Sequence, residues 1–207
     1  MSKPRRSSGS WRDRQERDPF VTRARREGWR SRAVYKLEEI DRKEKLLKPG
    51  MVVLDLGAAP GSWSQYVTKT LGERVRILAL DLLEMDALPC VEFIQGDFRE
   101  EAVLARLEAA LGDARADLVI SDMAPNISGN RSVDQPRSMY LAELALDLCE
   151  RALRQGGDFV CKMFQGEGSD AFIAAVRERF GRVRVIKPEA SRPGSREVYL
   201  VARSYRL

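Results

Sequence analysis

Short apolar runs alternate with stretches of helical periodicity along most of this chain, and that alternation constrains the fold more than any other feature. Met51–Asp55, Arg74–Leu80, Val91–Gln95, Ala116–Ser121 and Asp158–Phe164 read as buried strands. Trp63–Leu71, Glu100–Leu111, Gln135–Arg154 and Ser169–Phe180 read as the helices between or after them, and Trp29–Lys45 as a helix ahead of the first strand. Strands separated by helices pair in parallel, with helices on both faces of the sheet. Arg182–Ile186 and Glu197–Ala202 have no helix between them and are expected as an antiparallel pair at one edge. The expected fold is therefore α/β, a mostly parallel seven-stranded sheet with an antiparallel edge strand. At 207 residues the chain suits one domain over 29–207 preceded by a basic, flexible arm over 1–28.

Composition removes several chemistries. The chain has no histidine, which excludes Ser-His-Asp and Cys-His catalysis and every histidine-containing metal site. Cys90, Cys149 and Cys161 are widely spaced and form no C-x-x-C, so they read as buried reduced thiols, and no metal is expected. Acid–base work must fall to Asp, Glu, Lys or Tyr. No apolar run approaches the ~20 residues of a membrane span, and MSKPRRSSGS lacks the apolar core of a secretory signal. A cytoplasmic protein without membrane attachment is expected, and a monomer, because no large exposed apolar stripe is evident. Residues 1–48 hold 16 Lys and Arg against 8 Asp and Glu, whereas the remainder carries a slight acidic excess. A basic block of this kind suits a polyanionic partner, or else a solvated tail.

In open α/β sheets, ligands bind beyond the carboxyl ends of the strands. Here the first strand runs into Asp55-Leu-Gly-Ala-Ala-Pro-Gly61, whose glycines permit a sharp turn and close approach to a ligand. The second strand ends in Asp81, placed to accept from ribose hydroxyls, and the third is followed by Asp97, placed to accept from an adenine amino group. The fourth ends in Asp122. The arrangement suits NAD or S-adenosylmethionine. The dinucleotide fingerprint G-x-G-x-x-G is absent, and four carboxylates would repel a pyrophosphate. A sulfonium is favoured by acidic groups and aromatic faces, so S-adenosylmethionine is the expected cofactor.

Four segments in order, Asp55–Tyr66 (DLGAAPGSWSQY), Ser121–Asn126 (SDMAPN), Lys162–Gly166 (KMFQG) and Ser191–Val201, resemble the FtsJ/RrmJ (RlmE) family of bacterial ribosomal RNA 2'-O-methyltransferases. The resemblance spans about residues 29–203. It implies a Rossmann-like methyltransferase fold and S-adenosylmethionine as methyl donor. It also implies, as substrate, a uridine 2'-hydroxyl in the aminoacyl-site loop of 23S ribosomal RNA in the large subunit. It carries over a catalytic set onto Lys36, Asp122, Lys162 and Glu197, and cofactor contacts onto Gly61, Trp63, Asp81, Asp97 and Asp122. Ser62 departs from the pattern, which usually has a second glycine there; little effect is expected, since serine can open a helix as a cap.

Methyl transfer to an alcohol requires that its proton leave. A lysine near its ordinary pKa of ~10.4 is charged at neutral pH, so Lys162 acts either as a neutral base or as a charged donor that stabilises the oxyanion. Burial and a nearby Lys36 favour the first, Asp122 and Glu197 the second. Arg30 and Arg32 lie just ahead of Lys36, and Arg192 and Arg196 just ahead of Glu197, so these four are expected to hold RNA phosphates beside the cleft. The competing readings are a 2'-O-methyltransferase of transfer RNA or messenger RNA caps, and a non-catalytic RNA-binding ribosome assembly factor.

Overall fold

The computed structural model describes residues 18–206. In chain order the elements are α1 (Pro19–Glu27), α2 (Val34–Glu44), β1 (Met51–Leu56), α3 (Ser62–Leu71), β2 (Val75–Asp81), β3 (Val91–Gln95) and α4 (Glu101–Leu111). They continue with β4 (Ala116–Ser121), α5 (Arg131–Ala152), β5 (Leu153–Phe164), α6 (Ser169–Arg179), β6 (Phe180–Ile186) and β7 (Glu197–Tyr205). The sheet order is β3-β2-β1-β4-β5-β7-β6. The first five strands are parallel; β7 runs antiparallel to both neighbours and lies between β5 and β6. The expected antiparallel pair thus forms one side of the sheet, with β6 outermost. Among the described residues no helix is long and apolar enough to cross a membrane.

Both faces of the sheet are covered because the central strands are apolar on both sides. Leu54, Leu56, Leu78, Val119 and Phe159 face a core filled by Leu107 of α4, Leu146 of α5 and Phe172 of α6. Val53, Ile77, Leu118, Val160 and Val201 face the opposite core, filled by Leu37 and Ile40 of α2 and Trp63 and Val67 of α3. The second layer matters for function because α2 carries Lys36. Glu44, buried at the end of α2, accepts from Arg182 at 2.5 Å and Arg184 at 3.0 Å, while its carbonyl accepts from Arg203 at 2.6 Å. Asp41 takes the Leu46 and Leu47 amides as the helix ends. These bonds fix α2 against the β6–β7 side of the sheet.

Several boundaries differ from expectation. Residues 1–17 of the proposed arm lie outside the described residues, but residues 19–27 form a helix. Asp18 caps it by accepting from the Phe20 amide, Pro19 starts it, and Gly28 ends it in the left-handed conformation. Its buried Ala24 packs with Phe20, Val34, Tyr35 and Ala190, which offsets the ordering of an otherwise polar segment. The helix expected to begin at Trp29 begins at Val34, since residues 29–33 turn to bring α2 onto the sheet. The long helix stops at Ala152 rather than Arg154, because buried Leu153 already pairs with Ala116 in the β4–β5 ladder.

Candidate active site

The carboxyl ends of β1, β4 and β5, together with α2 and β7, converge on two adjoining hollows. One, about 90 Å³, is lined by the β1–α3 loop, Trp63, Asp55 and Asp122. The other is a cleft of about 490 Å³ bounded by Lys36, Lys162, Glu197, Arg32, Arg192 and Arg196, with Ala124, Ile127 and Phe164 supplying apolar wall. Ser31 and Ala33 line both, and Asp122, a wall of the first, pairs with Lys162 of the second.

The expected four-residue set assembles here. Lys162 lies opposite Tyr199, and Phe164 opposite Glu197, in the antiparallel β5–β7 register. The two-residue period of strands then puts all four side chains on one face. Lys162 Nζ donates to the Asp122 carbonyl at 2.5 Å and pairs with Asp122 Oδ1 at 3.1 Å. From α2, Lys36 Nζ pairs with Glu197 Oε1 at 2.8 Å, and the same oxygen accepts from Ser191 Oγ at 2.8 Å. Burial alone would raise the Asp122 carboxyl. The charges of Lys162 and Lys36, with hydrogen bonds from Tyr199 and Lys162, outweigh it and hold Asp122 below the usual carboxylate range.

Tyr199 is the residue that sequence reasoning missed. Its hydroxyl donates to Asp122 Oδ1, its ring meets Trp63 at 5.7 Å, and Lys36 Nζ stands 5.6 Å from its centroid. Burial, with Asp122 and Glu197 nearby, pushes its hydroxyl well above the ordinary value and keeps it a donor. The signal was present, since Tyr199 sits two residues from Glu197 on the same strand.

The residues expected to contact the cofactor lie at or just beyond the carboxyl ends of the first four strands. Gly61 opens α3 at φ 99°, and a Cβ there would meet Arg30 Nη1 at 2.6 Å and Met85 Sδ at 2.7 Å. Gly57, at φ 73°, leaves no room for a Cβ beside Met123. Trp63 is buried and donates from Nε1 to the Ala33 carbonyl at 2.8 Å. Asp81 accepts from the Ala59 amide at 2.9 Å and the Leu83 amide at 2.8 Å, tying two loops together. Asp97 is gripped by Arg99, whose Nε donates to both carboxylate oxygens at 2.9 Å. Asp81 and Asp97 lie outside the lining of the small hollow that Asp122, Gly57 and Trp63 share. Ser62 does not cap α3. Gly61 takes that position, and the Ser62 hydroxyl instead bonds to Ser31 Oγ at 2.8 Å.

The four arginines differ in what already holds them. Arg30 donates to the carbonyls of Pro60, Asp86 and Ala87 at 3.0, 2.8 and 3.0 Å, bolting the β2–β3 loop to the β1–α3 loop. Arg32 pairs with Asp18 and donates to the Ala190 carbonyl. Arg196 donates to Gln135 Oε1 at 2.7 Å. Arg192 is half-exposed, and its one ion pair among the described residues is a 3.9 Å approach to Asp18.

Asp55 is wholly buried beneath the small hollow. Its Oδ2 accepts from Ser64 Oγ at 2.7 Å, while Oδ1 has no partner among the described residues. Burial raises its carboxyl to about 7, with the Asp122 and Asp81 charges adding to the rise and the Ser64 hydrogen bond opposing it. An orphaned, buried carboxylate oxygen at a hollow fits a ligand that brings a positive or donating group. The sign of its effect on stability follows. From pH ~4 to ~7 the folded state holds a proton that the unfolded chain has lost. This contribution is complete below pH ~4 and declines by up to roughly 4 kcal/mol as pH rises through 7. Asp55→Asn should remove that slope, read as the wild-type-minus-variant difference in urea-unfolding stability between pH 4.5 and 8. A difference independent of pH would show that Asp55 is ionised throughout.

Comparisons with known proteins place the chain in a family. The family model described as FtsJ-like methyltransferase matches residues 29–205. A protein of Pseudomonas aeruginosa named "Ribosomal RNA large subunit methyltransferase E" is 59% identical over 189 residues, covering 91% of each chain. A protein of the same name from Pseudomonas fluorescens is 53% identical over 206 residues, covering 100% of this chain and 98% of the relative. The crystal structure of a Plasmodium falciparum protein described as a ribosomal RNA methyltransferase superposes with a TM-score of 0.77 at 32% identity, covering 86% of this chain and 98% of that one. Human methyltransferase-like protein 13, solved in complex with S-adenosylhomocysteine, shares the fold at TM-score 0.59 and 16% identity, over 83% of this chain and 80% of that one. With the family model spanning the sheet, both hollows and all four converging side chains, this chain belongs to the FtsJ-like methyltransferase family.

Proposed function

We propose that the protein transfers a methyl group to the 2'-hydroxyl of a uridine in large-subunit ribosomal RNA, in the aminoacyl-site loop, acting in the cytoplasm as a monomer. The observation that carries this reading is the pairing of Lys162 with Asp122 and of Lys36 with Glu197 at the cleft beside the cofactor hollow. The relatives named for ribosomal RNA large subunit methylation support the substrate.

The methyl donor is S-adenosylmethionine, which when bound supplies a methyl group on a positively charged sulfur. Asp55 fits its donating groups through the orphaned Oδ1, and Asp122 adds negative charge beside them. Asp81 and Asp97 would hold the ribose and the adenine amino group, the latter in competition with Arg99. Trp63 would shape the near wall, and Gly61, outside the lining itself, holds the turn between Pro60 and Ser62.

Lys162 donates to the Asp122 carbonyl and pairs with its carboxylate, which leaves donor capacity for the substrate oxygen. The negative carboxylate of Asp122 beside Nζ suits a charged donor more than a neutral base. Lys162 therefore orients the 2'-oxygen and stabilises the negative charge that develops on it, and the proton leaves late, to solvent. Asp122 holds Lys162, and Tyr199 holds Asp122. Lys36 and Glu197 position the ribose from the other side.

The test is transfer of label from S-adenosylmethionine to purified large ribosomal subunits that lack 2'-O-methylation, beside transfer RNA and capped messenger RNA. Label on the subunit RNA alone is expected. Label on transfer RNA or caps instead would replace the substrate, and cofactor binding with no transfer at all would favour the assembly-factor reading.

A further inference from the structure

The 490 Å³ cleft lies within the range of pockets that enclose whole small-molecule ligands, about 300–1,000 Å³, and it extends well past the reacting lysine. Beyond Lys162 it has an apolar side, with Phe164 on one wall and the exposed Ile127 of the β4–α5 loop on the rim. A ribose alone has no use for such a surface; a base does.

Arg196 is arranged differently from a phosphate-gripping arginine. Its Nη1 donates to Gln135 Oε1 at 2.7 Å and to the Gln165 carbonyl at 3.4 Å, so part of the edge that would grip a phosphate is already engaged. Gln135 is itself held, its Nε2 donating to the Phe164 and Glu167 carbonyls at 2.9 Å each. The guanidinium carbon lies 5.8 Å from the Phe164 ring centroid. A planar cation fixed by its edge and backed by an aromatic ring is a stacking platform, and unstacked RNA bases lie on arginine planes in this way. Arg192, half-exposed and weakly engaged, keeps its edge for phosphate.

Resting on the reading that the site methylates a ribose, we propose that the target nucleotide enters the cleft whole, extruded from its RNA, with its base stacked on the guanidinium of Arg196. Phe164 and Gln135 hold that platform, and Ile127 covers the base from the rim. Enzymes that must reach an atom inside structured nucleic acid commonly take the nucleotide out of its stack.

The experiment compares Arg196→Lys, which keeps the charge and loses the plane, with Arg196→Ala, Phe164→Leu and Arg192→Ala, on methylation-lacking large subunits. Arg196→Lys and Phe164→Leu should each raise KM about 10-fold, with kcat and cofactor affinity near wild type and the salt dependence of RNA binding unchanged. Arg192→Ala should weaken binding and lower the salt slope by about 1. A 2-aminopurine beside the target nucleotide should brighten on binding the wild type, and less so with Arg196→Lys. Transfer by the wild type with Arg196→Lys at wild-type KM, or a salt slope lowered by Arg196→Ala as by Arg192→Ala, would overturn the stacking role alone. No transfer by the wild type would overturn the functional reading and this one with it.

Discussion

Lys162→Ala is expected to lower methyl transfer by about 10³-fold while cofactor binding stays within a few-fold of wild type. The magnitude follows from what the side chain does. A preorganised charged donor aimed at developing oxyanion character is worth roughly 10²–10³ in rate, and more where water is excluded. Lys162 is buried at the end of β5, with its ammonium fixed by two acceptors on Asp122, so little reorganisation is needed when charge appears on the substrate oxygen. The fold should tolerate the change, because Asp122 keeps Tyr199 as a donor and Lys36 as a nearby charge. Single-turnover rates on large subunits, with cofactor binding measured by calorimetry, separate the two effects. A loss of cofactor binding equal to the loss of rate would show that Lys162 serves the cofactor hollow instead.

Asp122→Asn carries the second large effect, and it has two parts. The variant keeps an acceptor for Tyr199 but removes the charge opposite a buried lysine. Leaving one member of a buried pair without its partner costs about 3–5 kcal/mol, so a clear fall in urea-unfolding stability is expected. Activity should fall by about 10²–10³-fold, since Lys162 loses the group that aims it. Because the two residues act as one unit, the Lys162→Ala/Asp122→Asn double variant should be no slower than the worse single variant. The double variant should also recover much of the stability, as the unpaired lysine is gone. Additive rate losses would mean that Asp122 and Lys162 work independently. The acid side follows from the same pair. Asp122 is held below its ordinary pKa, so it stabilises the fold above the unfolded value, and that contribution disappears as pH falls through the lowered one.

The parallel sheet was legible in the sequence because period and punctuation agree: apolar runs such as Leu118–Ile120 end in Asp or Gly where the chain leaves the sheet. Lys36, Asp122, Lys162 and Glu197 were legible only through motifs, since nothing local to any one of them says that the four meet. Their meeting depends on the β5–β7 register and on α2 being pinned by Glu44, both long-range. For Tyr199 the only signal was its spacing of two from Glu197, because Asp122, which its hydroxyl reaches, lies beyond the end of β4 and far away in sequence. Arg30 read as a free cation because charge counting does not see the Asp86 and Ala87 carbonyls, more than 50 residues away, that its guanidinium occupies. The first helix carried clear end signals in Asp18-Pro19 and Gly28, yet its apolar content is low, and only its docking against Tyr35 and Ala190 reveals why it folds.

We propose that this site methylates a ribose oxygen. It is tested most directly by digesting the labelled large-subunit RNA to nucleosides and asking where the methyl group sits. Label in 2'-O-methyluridine, at a linkage resistant to alkaline cleavage, is the predicted result. Label on a base, at a linkage that alkali still cleaves, would contradict it.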